Sequence, residues 1–136
     1  MLSMTSTMRD AMIATCIRAL PDEGCGLMLG HVEGSTATVT EVVASPNVAA
    51  SARVYEIDSR VLLRTFRRAN DEGSDVLGVF HSHTHSEPYP SPTDVRQAPD
   101  PDWHYVLVSL RDVPAVVRSY RIVDDTVTTE DIYIEE

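Results

Sequence analysis

Two histidines and one aspartate have the residue types and the spacing of a metal site. His81 and His83 are separated by one residue, and Asp94 ends the segment Ser91-Pro92-Thr93-Asp94. In an extended strand, side chains two positions apart lie on the same face, so both imidazoles would point the same way. Two imidazoles and one carboxylate leave one tetrahedral position of a zinc ion open, which is typical of catalytic sites. We therefore expect His81, His83 and Asp94 to bind a catalytic metal ion.

Other interpretations of these residues exist. The two histidines could simply be polar residues at the end of a strand. Asp94 lies three positions after Ser91, so its carboxylate could reach back to the Ser91 backbone in a capping box instead of turning towards the histidines. His85 extends the pattern and could be a further ligand, but we expect it to be a loop residue at the rim of the site. Ligand type alone does not distinguish zinc from other divalent metals.

Hydrolysis at a metal site also requires a base that is not itself a ligand. The segment Pro21-Asp22-Glu23-Gly24-Cys25-Gly26 offers two carboxylates, Asp22 and Glu23, beside glycines that allow a fixed loop conformation. Taken alone, Glu23 would be an exposed turn residue, and the residues by themselves do not choose between the two. Cys25 is expected to be a buried packing residue rather than a nucleophile, because no cysteine-protease partners lie nearby.

Three helices are expected to position these groups. Apolar residues from Met8 to Ala19 recur at helical spacing, and this helix must end near Pro21. Asp58 can cap a second helix that places Val61, Leu62, Phe66 and Ala69 inward and ends at Gly73. Ser91-Pro92 has the residue types of a third helix start.

The remaining pattern predicts strands and therefore an α/β fold. Residues 76–82 form a nearly continuous apolar run, as in a central strand that is buried on both faces. The predicted strands cover residues 26–32, 36–44, 53–57, 76–82, 105–110, 115–123 and 127–134. We expect a mixed β-sheet flanked by helices in a single domain over residues 1–136, with the first residues unstructured.

Composition excludes several classes of protein. The formal net charge is -10, which repels phosphate backbones and argues against nucleic acid as a partner. No apolar run is long enough to span a membrane, and the N-terminus lacks the features of a signal peptide. A soluble cytoplasmic protein with Cys16 and Cys25 as free thiols is expected.

The combined pattern resembles a known family of enzymes. The segments Glu23-x-Cys25-Gly26 and His81-x-His83-x7-Ser91-x2-Asp94 are similar to the signature of the JAMM (MPN-plus) zinc metalloproteases. The order of the expected elements also agrees with that domain, whose fold is similar to the cytidine-deaminase fold. The resemblance is greatest to small bacterial members that act on ubiquitin-like sulfur-carrier proteins, including the type that releases cysteine. Further segments that support this subgroup are residues 53–58, 88–91, 104–109 and 118–122.

The resemblance implies a role for each site residue. His81, His83 and Asp94 would bind Zn²⁺, and Glu23 would take a proton from the zinc-bound water. Ser91 would donate a hydrogen bond to the developing oxyanion, although its other role as a helix cap would compete for the same side chain. The implied substrate is the amide bond between the C-terminal glycine of a ubiquitin-like sulfur-carrier protein and an attached amino acid, with cysteine expected.

Alternative functions remain open at this point. A related one is a deubiquitinase-like isopeptidase acting on a lysine linkage, and a different class is a non-catalytic MPN scaffold. A DNA-associated relative shares the histidine pattern, but the net charge argues against that function. The oligomeric state is also open, and a homodimer is one possibility.

A row of arginines lies on one side of the second predicted helix, at positions 60, 64, 67 and 68. The favoured interpretation is a solvated helical face. The alternative is a docking surface for an acidic carrier protein, which electrostatic attraction would steer.

Overall fold

The computed structural model describes all residues from 1 to 136. The helices are α1 (Ser6–Ala19), α2 (Ser59–Glu72) and α3 (Pro92–Arg96). The strands are β1 (Leu2–Thr5), β2 (Cys25–Glu33), β3 (Thr36–Ser45), β4 (Asp75–His83), β5 (His104–Ser109), β6 (Val116–Val123), β7 (Thr126–Glu130) and β8 (Ile132–Glu135).

All eight strands form one sheet in the order β7-β6-β5-β4-β2-β3-β1-β8. The pairs β1–β3, β1–β8 and β4–β5 are parallel. The other neighbouring strands are antiparallel. This mixed sheet with flanking helices confirms the predicted α/β fold class.

Strand β4, which carries both histidines, lies near the middle of the sheet. It pairs with β2 on one side and with β5 on the other. Phe80 belongs to the larger core cluster with Val106, whereas Val79 belongs to a second cluster with Trp103. Apolar packing on both faces therefore fixes this strand, as the continuous apolar run predicts.

The helix boundaries follow from local capping. Thr5 accepts a hydrogen bond of 3.2 Å from Met8 N at the start of α1. Asp58 accepts one of 2.8 Å from Arg60 N at the start of α2. Gly73 ends α2 in the left-handed conformation, with φ of 71°, which glycine adopts at little cost.

The N-terminal residues differ from the expectation of an unstructured segment. Leu2 and Met4 are fully buried in the larger core cluster, and β1 adds to the sheet between β3 and β8. The alternation of apolar and polar residues over four positions suffices for a strand here, because its two partners bury one face of it.

Two strand predictions were wrong. Residues 53–57 form no strand, and only an isolated bridge joins Ile57 to Asn47. Residues 127–134 form two strands instead of one, because β7 and β8 lie at opposite edges of the sheet. A segment rich in valine and threonine favours the strand conformation whether it forms one strand or two, so the sequence pattern does not reveal the break at Asp131.

The predicted inward face of α2 is only partly correct. Ala69 is buried and Val61 and Leu62 are half-buried, but Phe66 is 44% exposed. The Phe66 ring lies over Trp103 with 6.2 Å between ring centroids.

No helix of the structure combines the length and the apolar character needed to cross a membrane.

Candidate metal centre and active site

The structure brings the three predicted metal ligands together in a buried cluster. The end of β4 supplies His81 and His83, and the first turn of α3 supplies Asp94. Asp94 Oδ2 lies 3.2 Å from His81 Nε2 and 3.0 Å from His83 Nε2. Potential ligand atoms of all three residues lie within 4.8 Å of one another. One small ion could therefore be reached by all three side chains.

The tautomer of His83 is fixed by a backbone carbonyl. His83 Nδ1 lies 2.8 Å from the carbonyl oxygen of Glu87. A carbonyl oxygen only accepts, so Nδ1 must carry a proton and donate it. In the neutral ring this leaves the lone pair on Nε2, which faces Asp94. A second hydrogen bond of this kind orients the histidine ligands of metal sites.

His81 has buried nitrogen atoms that nothing in the protein satisfies. Nδ1 has no hydrogen-bond partner, and Nε2 lies 3.2 Å from Asp94 Oδ2 without the geometry of a hydrogen bond. The residue is 3% exposed. Its ring stacks on Tyr55 with 4.1 Å between centroids, which holds the imidazole plane in place. Burial lowers the pKa of His81 and so favours the neutral ring that binds cations. Buried polar atoms without partners are rare, and a bound metal would satisfy Nε2.

Asp94 takes part in both of the arrangements that the sequence left as alternatives. Its Oδ2 accepts a hydrogen bond of 2.9 Å from Ser91 N, while its own N–H donates to Ser91 Oγ at 3.1 Å. Burial alone would raise the pKa of Asp94, but the His81 and His83 rings outweigh it and hold the pKa well below its usual range. An ionised carboxylate at this place suits a cation. The donor set and the unpartnered nitrogen of His81 together fit a divalent metal ion.

Glu23 is the buried member of the two candidate bases. It is 3% exposed, whereas Asp22 is half-buried, so Glu23 is not the exposed turn residue that its local sequence alone would indicate. Burial raises the pKa of Glu23 to about 8. The nearby charge of His83 acts to lower this pKa, and the charge of Asp94 acts to raise it. Glu23 Oε1 has no hydrogen-bond partner in the protein. A cation held by the three ligands would lower this pKa and favour the carboxylate form.

Three hydrogen bonds hold the backbone around Glu23. Its N–H donates to Ser51 O at 2.8 Å, and its carbonyl accepts from Asn47 Nδ2 at 3.0 Å. The next amide, Gly24 N, donates to Ser82 Oγ at 2.8 Å. Ser82 lies between the two histidines in sequence, and its hydroxyl accepts this backbone hydrogen bond. The strand that carries the ligands therefore also fixes the loop that carries the carboxylate.

Asn47 is a positioning residue that the sequence interpretation missed. Its side chain makes five hydrogen bonds to backbone and so ties the loop over residues 47–56 to the Glu23 segment. The partners are the carbonyls of Glu23, Ser51 and Val54 and the amides of Ala49 and Glu56. The sequence does contain a signal for this role, because an asparagine at the start of a loop often forms side-chain hydrogen bonds with the loop backbone.

An apolar groove shares one residue, Tyr55, with the surroundings of the candidate metal centre. It has a volume of about 520 Å³. Its apolar lining includes Val54, Tyr55, Ile57, Leu62, Phe66 and Trp103. Tyr55 lines this groove and also stacks on His81, so the Tyr55 ring lies between the groove and the candidate metal centre. The sequence did not predict this groove, which joins a loop, α2 and the segment before β5.

The other singled-out residues lie outside the metal cluster. Burial raises the pKa of Cys25 to about 12, so its thiol stays protonated, and Cys25 Sγ lies 3.7 Å from two backbone carbonyl oxygens. These facts fit a packing role. His85 is exposed, and its Nδ1 lies 2.9 Å from Thr84 Oγ1. It is not part of the cluster of potential ligands.

The arginine row on α2 is divided by ion pairs. Arg68 forms two hydrogen bonds of 2.7 Å with the Glu41 carboxylate, and Arg60 lies 3.4 Å from Asp58 Oδ2. Arg64 and Arg67 are exposed and have no such partner. The four residues are therefore not equivalent, and only two of them present free charge to solvent.

Comparison with known proteins defines the family. Residues 5–123 match the model of the prokaryotic homologs of the JAB domain, and the chain belongs to this family. It is 42% identical over 128 residues to the CysO-cysteine peptidase of Mycobacterium tuberculosis strain H37Rv, covering 93% of this chain and 86% of that protein. It is 33% identical over 113 residues to the desampylase of Haloferax volcanii, covering 79% of this chain and 80% of that protein.

A solved structure agrees with this assignment. The solution structure of a Desulfitobacterium hafniense protein has a TM-score of 0.90 and 33% identity, covering 100% of this chain and 94% of that one. The predicted family and JAB/MPN fold are therefore confirmed. The relatives are named as a peptidase and a desampylase, which confirms the prediction that the chain is a hydrolase of this type.

Proposed function

We propose that the chain is a zinc-dependent peptidase that acts on a ubiquitin-like sulfur-carrier protein. It would hydrolyse the amide bond between the C-terminal glycine of the carrier and an attached amino acid, with cysteine expected. The observation that carries this proposal is the buried cluster of His81, His83 and Asp94 beside the buried, unpartnered carboxylate of Glu23. Similarity to a CysO-cysteine peptidase over almost the whole chain supports the substrate.

Glu23 is the proposed general base. Zinc, when bound by the three ligands, supplies Lewis-acid chemistry by polarising the amide carbonyl and lowering the pKa of water to about 7. Glu23 Oε1 is free of hydrogen bonds, so it can accept the proton of the attacking water. The water oxygen bonds to the carbonyl carbon, the carbon–nitrogen bond breaks, and the amine leaves with the proton that Glu23 returns.

Ser91 is the proposed donor to the oxyanion. The sequence led us to expect that the roles of helix cap and oxyanion donor compete for the Ser91 side chain. They need not compete, because a hydroxyl group can accept one hydrogen bond and donate another at the same time. Ser91 Oγ accepts from Asp94 N, and its own hydrogen remains available. The cap thereby positions the hydroxyl next to the metal ligand Asp94.

The apolar groove that includes Tyr55 is the proposed binding place of the carrier tail. A tail that ends in glycine lacks bulky side chains at its end and can reach a buried centre. Apolar residues further back in the tail would contact Phe66 and Trp103, which are both part of the groove. Burial of apolar surface there would contribute to affinity. The carrier, rather than the amino acid alone, would then be the recognised substrate.

Several finer statements belong to the same proposal. A place in cysteine biosynthesis and a cytoplasmic location follow from the proposed substrate. No role for nucleic acid or a membrane is proposed, and the homodimer stays a prediction. A non-catalytic scaffold is disfavoured, since His81, His83, Asp94, Glu23 and Ser91 are all present.

The alternative reaction is cleavage of a lysine isopeptide linkage, which similarity to a desampylase favours. CysO, the protein in the name of the 42% identical peptidase, is the carrier chosen as the probe for separating the two reactions. It would carry either cysteine on its C-terminal glycine or lysine joined through its side-chain nitrogen. Mass spectrometry would follow the loss of each group. We expect release of cysteine at least about tenfold faster. Faster release of lysine would replace the proposal by the alternative, and a purified protein that binds no zinc and cleaves neither would favour a scaffold.

A further inference from the structure

Two buried hydroxyl groups of the sheet hold the loop that follows β4. Ser109 Oγ, on β5, donates to the carbonyl oxygen of Ser86 at 2.7 Å. The Tyr120 hydroxyl, on β6, donates to the carbonyl oxygen of Pro88. Both donors belong to buried residues, whereas Ser86 is exposed. The carbonyl group between the two acceptors, that of Glu87, is thereby held from both sides along the chain.

The Glu87 carbonyl is the group that orients a candidate metal ligand. It accepts from His83 Nδ1 at 2.8 Å, which leaves the lone pair of Nε2 towards Asp94. Ser109 is the register partner of His83, so both side chains lie on the same face of the sheet. The ligand and the two hydroxyl groups come from three neighbouring strands, β4, β5 and β6. Three successive carbonyl groups of the loop therefore accept from three adjacent strands.

This loop has little backbone structure of its own. The only backbone–backbone hydrogen bond formed by residues 84–90 joins Tyr89 N to Glu87 O at 2.8 Å. Glu87 is exposed, so burial does not fix its position either. The Tyr89 ring packs edge-on against Tyr120 with 5.5 Å between ring centroids. The path of the loop therefore depends on side-chain contacts, above all on the hydroxyl groups of Ser109 and Tyr120.

The same loop connects the two parts of the candidate metal centre. It begins directly after His83 and leads to Ser91, the cap of α3, whose first turn carries Asp94. A loop that moved would change the orientation of the histidine and the place of the carboxylate together. Because the acceptor for His83 is a backbone carbonyl, only the groups that hold the loop can be removed by substitution.

We infer that Ser109 and Tyr120 are positioning residues for the metal ligand His83 and act through the carbonyl group of Glu87. This inference rests on the metal binding that is part of the proposed function. With the carbonyl in place, the ring keeps its proton on Nδ1 and offers Nε2 to the ion. Without it, the proton of the neutral ring can move to Nε2 and block the position of the metal. Groups that orient histidine ligands in this way are typically worth about 10–100-fold in metal affinity.

The test measures zinc affinity rather than turnover. Ser109→Ala and Tyr120→Phe each remove one hydroxyl group, and competition with a chromophoric chelator gives the dissociation constant for zinc. We expect each variant to bind zinc about tenfold more weakly than the wild-type protein, and the double variant up to about 100-fold more weakly. Melting temperatures of the metal-free proteins report stability separately. Either single variant suffices if the double variant does not fold.

Two substitutions of the same chemistry are the matched controls. Tyr105 is the register partner of Tyr120, and its hydroxyl donates to Asp100 O at 2.7 Å in the segment before β5. Ser119 lies on β6, and its hydroxyl donates to Glu130 Oε1 at 2.8 Å. Tyr105→Phe and Ser119→Ala also remove buried hydroxyl groups and should lower the melting temperature of the metal-free protein. They should keep the wild-type affinity for zinc.

Three outcomes would contradict the inference. Wild-type zinc affinity in both Ser109→Ala and Tyr120→Phe would overturn it and leave the proposed function intact. An equal loss of affinity in Tyr105→Phe and Ser119→Ala would also overturn it, because the loss would then follow stability rather than the loop. Absence of zinc binding by the wild-type protein would overturn the proposed function and the inference together.

Discussion

The backbone amide of Ser91 donates a hydrogen bond of 2.9 Å to Asp94 Oδ2, the same carboxylate oxygen that faces both histidines. The capping box of α3 and the candidate metal centre therefore share one atom. Forming the first turn of this short helix places the carboxylate, so the local fold prepares the ligand before any ion arrives. The two interpretations that the sequence offered for Asp94 describe one arrangement.

Removing the Asp94 carboxylate should abolish metal binding at a modest cost in stability. Asp94→Ala deletes one of three ligands and also one half of the capping box, which contributes about 1 kcal/mol. We expect added zinc to raise the melting temperature of the wild-type protein but not that of the variant, since only a bound ion stabilises the native state. Metal content per chain, measured by mass spectrometry, is the second readout. An unchanged zinc content in the variant would refute the ligand assignment.

Ser91→Ala should reduce turnover far more than stability. Loss of an oxyanion donor typically lowers turnover by about 10²–10³, whereas loss of a helix cap costs about 1 kcal/mol. The zinc content should stay the same, because Ser91 is not a ligand and its backbone amide still bonds to Asp94. Turnover and denaturant unfolding of the same preparation give the comparison. A variant with near-normal turnover would contradict the role of Ser91.

Asn47→Ala should lower turnover without removing the metal. The substitution leaves the carbonyl of Glu23 without its side-chain donor and releases the loop that carries Tyr55. We expect a loss of about 1–3 kcal/mol in stability and a lower kcat with unchanged zinc content. Asn70→Ala, at an exposed position on α2, is the control and should change neither quantity. Loss of activity that only follows loss of zinc would contradict a positioning role.

Stability should depend on pH through a hydrogen-bonded carboxylate outside the site, that of Glu130. Burial alone would raise the pKa of Glu130, but hydrogen bonds from His104 and Ser119 outweigh it and hold the pKa below its ordinary value. Because the folded pKa is lower than the unfolded value of about 4.3, the stabilisation is present above that pH and is lost as the pH falls through the folded pKa.

Glu130→Gln should therefore destabilise the protein at pH 7 by about 1–2 kcal/mol and have a smaller effect at pH 3. Denaturant unfolding of both proteins at the two pH values measures the difference. Glu135→Gln, which changes an exposed carboxylate near the end of the chain, should have little effect at either pH. A Glu130 effect that grows as the pH falls would contradict the assigned direction.

The grouping of the three candidate metal ligands could be predicted because each position depends on local rules. The spacing of His81 and His83 within a strand fixes their common side, and the cap at Ser91 fixes the position of Asp94. Neither requires knowledge of distant contacts. The apolar run of β4 also shows from sequence alone that the strand is central.

The choice between Asp22 and Glu23 could not be made from the sequence alone. Burial of Glu23 depends on contacts to residues far along the chain, such as Ser51 and Ser82. The strand predicted over residues 53–57 failed for a related reason. The side chain of Asn47 takes the hydrogen bonds that a neighbouring strand would otherwise supply, and no periodic pattern records this.

The edges of the sheet were also beyond the sequence pattern. Strand β1 pairs in parallel with β8, so the two ends of the chain meet. Short strands at opposite ends of a sequence give no local signal of their partners. Register is set by the face that becomes buried, and for Leu2 and Met4 that face exists only in the folded protein.

The most direct test of the account compares two neighbouring carboxylates. Cleavage of CysO-cysteine and bound zinc would be measured for the wild-type enzyme, Glu23→Gln and Asp22→Asn, with a chelated wild-type sample beside them. We predict that Glu23→Gln binds zinc but is slowed by at least about 10²-fold, that Asp22→Asn is close to wild type, and that the chelated sample is inactive until zinc is restored. Near-normal turnover of Glu23→Gln, or full activity of the chelated enzyme, would contradict metal-dependent hydrolysis with Glu23 as the base.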